Sequence, residues 1–301
     1  MYKLPKIEEL LEAGVHFGHQ VRRGHPRMKP FIYGARDGVH IIDLTKSDKY
    51  LKEACEFVEN LGKQGKVLLF VGTKKQARPI VEELAKKLEA PYMVERWIGG
   101  FLTNFDEIQK NVKKLKELKE AKEKGELKKY TKKEQLLIDR KISKLEKDFA
   151  GVMDLVVLPD AIFVTDAVSD NIAVREASRI KIPVVALADS NSDPTLVDYP
   201  IPGNDDAIKS IKILVEAIAS AYGEGKKEAG RKADKEVKRL EKEATKSASA
   251  KASLDSARDK SADKEGIDEE LKVDPDSIGV EVAAAEEMVE KKAVKDAERV
   301  V

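Results

Sequence analysis

A chain of 301 residues with 42% hydrophobic and 37% charged side chains has material for one sizeable core, with charge left over for segments that never enter it. The formal net charge of +1 excludes a uniformly basic protein, so a polyanion would have to be met by local patches. One cysteine, Cys55, excludes an internal disulfide framework, and no apolar run is long enough to span a bilayer. Met1 to Pro5 carries no apolar stretch of signal-peptide type, which gives the expectation of a cytosolic protein.

Ile7, Leu10 and Leu11 share one face of a short helix over 6–13. The stretch Val15 to Tyr33 then breaks helical rhythm, because Gly18, Gly24, Pro26 and Pro30 interrupt it. Three of the four histidines lie here, His16, His19 and His25. From Arg22 to Arg36 there are five basic side chains and no acidic one, with Phe17, Phe31 and Tyr33 interleaved. Guanidinium and ammonium groups neutralise phosphates, and aromatic faces stack on unpaired bases, so this loop suits a nucleic acid better than mere solvation does.

Val39–Ile42 reads as a short strand, and Thr45 as the cap of a helix over 46–62 ended by Gly62 and Gly65. Val67 to Val71 is a continuous apolar run, the mark of a strand buried on both faces. Gly72-Thr73 opens a helix over 74–88, and Pro91 begins a strand to Val94. Further on, Ala161–Val164 is a buried strand, Ser169 caps a helix to 180, Pro183–Ala188 is another strand, and a helix over 206–222 closes the region. Such alternation argues for a parallel sheet wrapped by helices.

Residues 104–150 interrupt that order. Phe105, Ile108, Val112 and Leu115 recur at seam spacing, as do Ile138, Ile142, Leu145 and Phe149. Lys124-Gly125-Glu126 marks a turn between them, and Thr131 with Glu134 makes a capping box. The reading is a protruding antiparallel coiled-coil hairpin with 15 Lys/Arg against 10 Asp/Glu. Its lysine-rich flank is either a solvated face or an electrostatic footprint. Residues 223–262 carry 12 basic against 8 acidic side chains, and residues 263–301 carry 6 against 13. No aromatic residue follows Tyr222, so 223–301 is expected to be a charged tail, disordered or partly helical. The expected domains are a core of 1–103 and 151–222, the hairpin 104–150 and the tail 223–301.

Several pieces of the chain resemble small-subunit ribosomal protein two, the S-two family, in its bacterial form. They begin with Leu11-Glu12-Ala13-Gly14-Val15-His16-Phe17-Gly18-His19, Met28-Lys29-Pro30-Phe31-Ile32-Tyr33-Gly34 and His40-Ile41-Ile42-Asp43-Leu44. Phe70-Val71-Gly72-Thr73-Lys74-Lys75-Gln76-Ala77, Arg96-Trp97-Ile98-Gly99-Gly100 and Leu102-Thr103-Asn104-Phe105 follow in order. Leu158-Pro159-Asp160-Ala161, Ile182 to Leu187 and Asp198 to Ala207 complete the set, which covers residues 4 to 222. One departure is Gly24-His25, where the family usually has a bulky aromatic and a small polar residue before the proline.

The resemblance implies a three-layer α/β fold similar to flavodoxin and a structural, non-enzymatic role in the small ribosomal subunit. It also implies small-subunit rRNA and neighbouring ribosomal proteins as partners, among them the large RNA-capturing protein one. No cofactor, membrane or small-molecule substrate is expected. The residues assigned to RNA are His16, His19, Arg22, Arg23, Arg27, Lys29 and Arg36 in the loop. Lys74, Lys75 and Arg78 join them at a helix start, where free N–H groups attract phosphate. Arg96, Asn104, Lys110, Lys113 and Lys114 at the hairpin base complete the set.

Two other chemistries are weighed. A nucleotide- or sugar-binding enzyme on the same fold would use Gly72-Thr73-Lys74-Lys75, Asp166 and Asp189-Ser190-Asn191 after the strands. Neither phosphate-binding fingerprint is present, and these residues read as caps and turns. His16 and His19 could share one face of a helix and bind a metal, but no firm carboxylate partner stands near them in sequence. A free coiled-coil adaptor docking through 104–150 is a third class. Trp97 reads as a half-buried anchor of the loop into the hairpin, with Arg96 free for phosphate.

Overall fold

The computed structural model describes residues 2–232. α1 (Ile7–Glu12) leads into β1 (Phe17–Gln20), two short 3-10 segments, β2 (Ile32–Arg36) and β3 (Val39–Ile42). These strands form an antiparallel sheet in the order β1-β3-β2, turned at Asp37-Gly38, both in the left-handed region. Only β3 was expected, and 15–36 was read as loop. The strands are short and carry Gly18 and Gly34, so neither shows alternation, and β1 forms through pairing with a distant partner.

α2 (Leu44–Lys63) starts two residues before its expected first residue, because Asp43 and not Thr45 is its cap: the Asp43 carboxylate accepts from Thr45 N–H at 3.0 Å. β4 (Leu68–Val71) is buried along its length. α3 (Arg78–Lys87) begins four residues later than expected, at Arg78-Pro79, since Pro in the first turn loses no helical bond. Lys74 and Lys75 therefore lie in the turn before the helix. β5 (Tyr92–Met93), α4 (Phe105–Glu123), α5 (Lys132–Phe149), β6 (Ala161–Val164), α6 (Asn171–Arg179), β7 (Val184–Ala188) and β8 (Tyr199–Pro202) follow. The last helix among the described residues, α7, runs over 208–232 and thus ten residues past the expected end of the core at 222. The remainder of the expected tail lies outside the described residues. β8 was not foreseen, since Pro200 and Pro202 argue against a strand; an edge strand tolerates them.

The parallel strands lie in the order β5-β4-β6-β7-β8. Counted along the parallel strands, that is second, first, third, fourth, fifth, the flavodoxin order, with its switch point between β4 and β6. Successive residues of each strand face opposite layers. Leu68, Phe70, Phe163, Val185 and Leu187 pack with α1, α2, α3 and α7. Leu69, Val71, Ile162, Val164 and Ala186 pack with α6 and with the base of α4 and α5. Ile108, Val112, Leu115, Ile142 and Phe149 belong to that second cluster, so the base of the helix pair is built into the core and does not stand off it. Towards the far end Leu136 and Leu137 are exposed, and ion pairs Lys119–Glu146 (2.7 Å) and Lys122–Asp139 (2.8 Å) tie the two helices.

α7 crosses α2 with almost no separation. A Cβ on Gly62 would lie 2.7 Å from the Tyr222 carbonyl oxygen, so Gly62 sits inside the helix it was expected to end. Tyr222 Oη accepts from Leu68 N–H at 3.4 Å and donates to the Lys66 carbonyl at 2.9 Å; Lys226 Nζ donates to the Leu88 carbonyl at 2.7 Å.

Candidate nucleic-acid interface

The basic loop is pinned to the carboxyl-terminal rim of the parallel sheet. His19 N–H donates to Ser190 Oγ at 2.8 Å, and His25 N–H donates to the Ser190 carbonyl at 2.8 Å. Arg27 Nη1 reaches Asp193 Oδ2 and Thr195 Oγ1, each at 2.7 Å. Gly18 must be glycine for this approach, as a Cβ there would stand 2.8 Å from Ser190 Oγ. Gly24 gives way in the same manner to the His40 ring, 2.5 Å from where a Cβ would be. Here the departure from the family pattern has a local reason.

Arg22, Arg23, Lys29 and Arg36 are exposed around this small sheet, with Tyr33 82% and Phe17 50% exposed beside them in the chain. Arg22 Nε donates to Gln20 Oε1 at 2.9 Å, and Arg36 lies 3.7 Å from Asp37. Arg27 is a pin as well as a surface cation. His16 packs on the Phe17 ring; burial lowers its pKa, and its Nδ1 has no hydrogen-bond partner.

The strand ends hold a polar cluster in which Lys74, Asp166 and Asp189, marked in the sequence as strand-end residues, meet Asp170, Asp205 and Asp206, which were not. Lys74 Nζ lies 3.3 Å from Asp166, 2.9 Å from Asp205 and 2.6 Å from Asp206, and its side chain is 18% exposed. Burial opposes its charge, yet hydrogen bonds to Asp206 and Asp205 and the charges of Asp205 and Asp166 raise its pKa. His19 Nδ1 lies 3.1 Å from Asp189 and Nε2 3.4 Å from Asp206. The Asp189 hydrogen bond outweighs burial and raises the His19 pKa. Burial, then the charges of Asp166 and Asp189, push the Asp205 carboxyl up. Thr73 Oγ1 donates to Asp170 Oδ1 at 2.7 Å, and burial carries Asp170 to about 6. Arg78 is held by Glu95 at 3.0 Å and by the Thr73 carbonyl at 2.8 Å.

This corrects the expected histidine chemistry. His16 and His19 are not on a helix, and the carboxylates near His19 come from the end of β7 and from the segment before α7. His19, Asp205 and Asp206 bring donor atoms within 4.8 Å of one another, a set able to hold a divalent cation. The Lys74 ammonium already places positive charge on both aspartates. Lys74 and Arg78 are thus engaged by carboxylates, whereas Lys75 is exposed.

At the base of the helix pair, Arg96, Asn104, Lys110, Lys113 and Lys114 are exposed, with Lys110 paired to Glu107 at 2.9 Å. The like charge of Lys114 close by lowers the pKa of Lys141, so cations from the two helices meet here. Trp97, Phe101 and Phe105 form an edge-to-face ladder with centroid separations of 5.3 and 6.1 Å. Trp97 is buried, deeper than the half-buried anchor expected. Glu176 of α6, which no sequence signal marked, receives the Trp97 indole N–H and the backbone of the loop that follows.

The model of the family described as Ribosomal protein S2 matches residues 10–225. The chain belongs to this family. It is 50% identical over 221 residues to the small ribosomal subunit protein uS2 of a Nitratiruptor species, an alignment that covers 73% of this chain and 83% of that one. It is 51% identical over 221 residues to the uS2 of Coprothermobacter proteolyticus, covering 73% and 82%, and 48% identical over 222 residues to that of Helicobacter hepaticus, covering 74% and 84%. The matched span runs from the first helix through the Gly62 crossing partner Gly225, so it takes in both sheets, the helix pair and the rim cluster. The family is structural and not enzymatic. Among the described residues, no helix is long and apolar enough to cross a membrane.

Proposed function

We propose that the chain is a structural component of the small ribosomal subunit in the cytoplasm, binding small-subunit rRNA and neighbouring ribosomal proteins. Membership of the family over residues 10–225 carries this reading. RNA is met in two places. One is the small antiparallel sheet, through Arg22, Arg23, Lys29 and Arg36, with His16, His19 and Arg27 shaping the loop. The other is the base of the helix pair, through Arg96, Asn104, Lys110, Lys113 and Lys114, with Lys75 between them in the chain. Recognition works by phosphate neutralisation and fit of shape, with base-edge reading secondary. Lys74 and Arg78 act through the rim cluster, where they hold carboxylates in place.

Residues 104–150 serve as a coiled-coil hairpin inserted in the core of 1–103 and 151–222, its far end reaching beyond the core. An enzyme on the same fold would need free polar groups at the switch point, and there Lys74 and the aspartates satisfy one another.

Sucrose-gradient sedimentation of cell extract tests the reading. The full chain is expected to travel with small subunits at moderate salt. Recovery in the soluble fraction alone, with small subunits intact, rejects it.

A further inference from the structure

We propose that Glu176 is the positioning residue that sets the base of the helix pair for RNA, an inference that rests on the RNA-binding reading of Arg96, Lys110, Lys113 and Lys114. Oε1 of Glu176 accepts from Trp97 Nε1 at 3.1 Å and from Gly100 N–H at 2.7 Å. Oε2 accepts from Leu102 N–H at 3.0 Å, and from the N–H and Oγ1 of Thr103, each at 3.4 Å. All the backbone and indole partners are donors that cannot accept. The loop from Trp97 to Thr103 curls around one carboxylate as backbone nests curl around anions, with Gly100 at φ +85° making the turn.

The mechanical route is short. Ala173, Val174 and Ala177 fix α6 on the sheet, and Glu176 fixes the loop to α6. The loop ends at Asn104, the cap position of α4, whose side chain makes no capping bond. Arg96 stands one residue before the loop, and Lys110, Lys113 and Lys114 stand in the second and third turns of α4. One carboxylate therefore sets the angle at which four exposed cations leave the core. The aromatic ladder of Trp97, Phe101 and Phe105 holds the loop by burial, independently of charge. Loss of Glu176 should loosen the angle without unfolding the domain.

E176Q is the sharp variant, since it keeps the shape and removes one acceptor oxygen however the amide is turned. The full chain, with and without K110A/K113A/K114A, is titrated by filter binding against purified small-subunit rRNA at several salt concentrations. In the unsubstituted chain the lysine changes should cost about tenfold in affinity and flatten the salt slope. In E176Q the affinity should already be lowered to a similar degree, and the lysine changes should add less than about twofold, because coupled residues are not additive. Trp97, the one tryptophan of the chain, should shift its emission to the red as its indole loses its partner.

If E176Q keeps full affinity, or if the lysine changes cost as much in E176Q as without it, the positioning role is overturned while the RNA reading stands. If the lysine changes cost nothing in the unsubstituted chain, the RNA reading of the helix-pair base falls, and this role with it. Should E176Q fail to fold, W97F carries the same cycle, because it removes the indole donor to Glu176 while keeping an aromatic ring in the ladder; an undiminished lysine cost in W97F likewise overturns the proposal.

Discussion

The N-terminal loop and the base of the helix pair are both basic, yet they are held in different ways. The loop is tied to the sheet rim through Ser190, Asp193, Thr195 and Asp189, each taking one or two bonds. The loop that leads into the helix pair, whose base is packed into the core, hangs on a single carboxylate and an aromatic ladder. Distributed ties make a surface tolerant of any one loss. Concentrated ties make it sensitive to one residue, and they also leave it a defined pivot. Both regions depend on long-range contacts, the loop on its rim and the second on Glu176, but only the second adds a local device, rings four residues apart in one stretch of chain.

Substitution in the ladder should have the largest effect on stability. Phe101 has no exposed surface, so F101A is expected to cost about 3–5 kcal/mol by cavity formation, read from denaturant midpoints. A cost near that of a surface change would mean the ladder bears little of the anchoring. Next comes Asp170 behind the rim. Its carboxyl is raised to about 6 by burial, so the unfolded chain ionises it first and its contribution to stability is lost as pH rises from about 4 to about 6. D170N should remove roughly 2 kcal/mol of that decline, visible as a flatter stability curve across this window. An unchanged curve would show the group titrating normally.

S190A tests the loop's distributed ties. It strands the His19 N–H and should cost about 1 kcal/mol, while the His25 bond to the same residue's carbonyl survives. A loss as large as that of F101A would erase the difference between the two regions. R22A/R23A should leave thermal unfolding within about 0.5 kcal/mol of the unsubstituted chain. The same pair should flatten the slope of log affinity for rRNA against log salt by up to about 0.7 per lost single-strand phosphate contact. An intact slope would remove these arginines from the interface.

The parallel sheet was readable because its central strands are continuous apolar runs: Leu68 to Val71 and Ala161 to Val164 are buried at every position. β8 was not, because prolines at 200 and 202 carry a signal that only edge position overrides. The loop's cations stood where charge pattern placed them, and Arg22, Arg23, Lys29 and Arg36 are exposed. Asp166 and Asp189 were marked as strand-end residues, but their pairing with Lys74 and His19, and the part played by Asp205, were beyond local reading, since Lys74 and Asp205 are 131 residues apart. Glu176 is one acid on an ordinary amphipathic helix, and only the fold reveals the donors converging on it.

The contact of Gly62 with the Tyr222 carbonyl also decides how the molecule answers to being pulled. α7 meets α2, the start of β4 and the end of α3, through Tyr222 at Lys66 and Leu68 and Lys226 at Leu88, along the amino-terminal edge of the parallel sheet. The basic loop sits on the opposite, carboxyl-terminal edge. Tension applied through the end of α7 would load the helix crossing first and reach the loop only by way of the sheet. A tether at that end would therefore strip α7 from α2 while the loop still held its grip, so the two edges would fail in sequence under load.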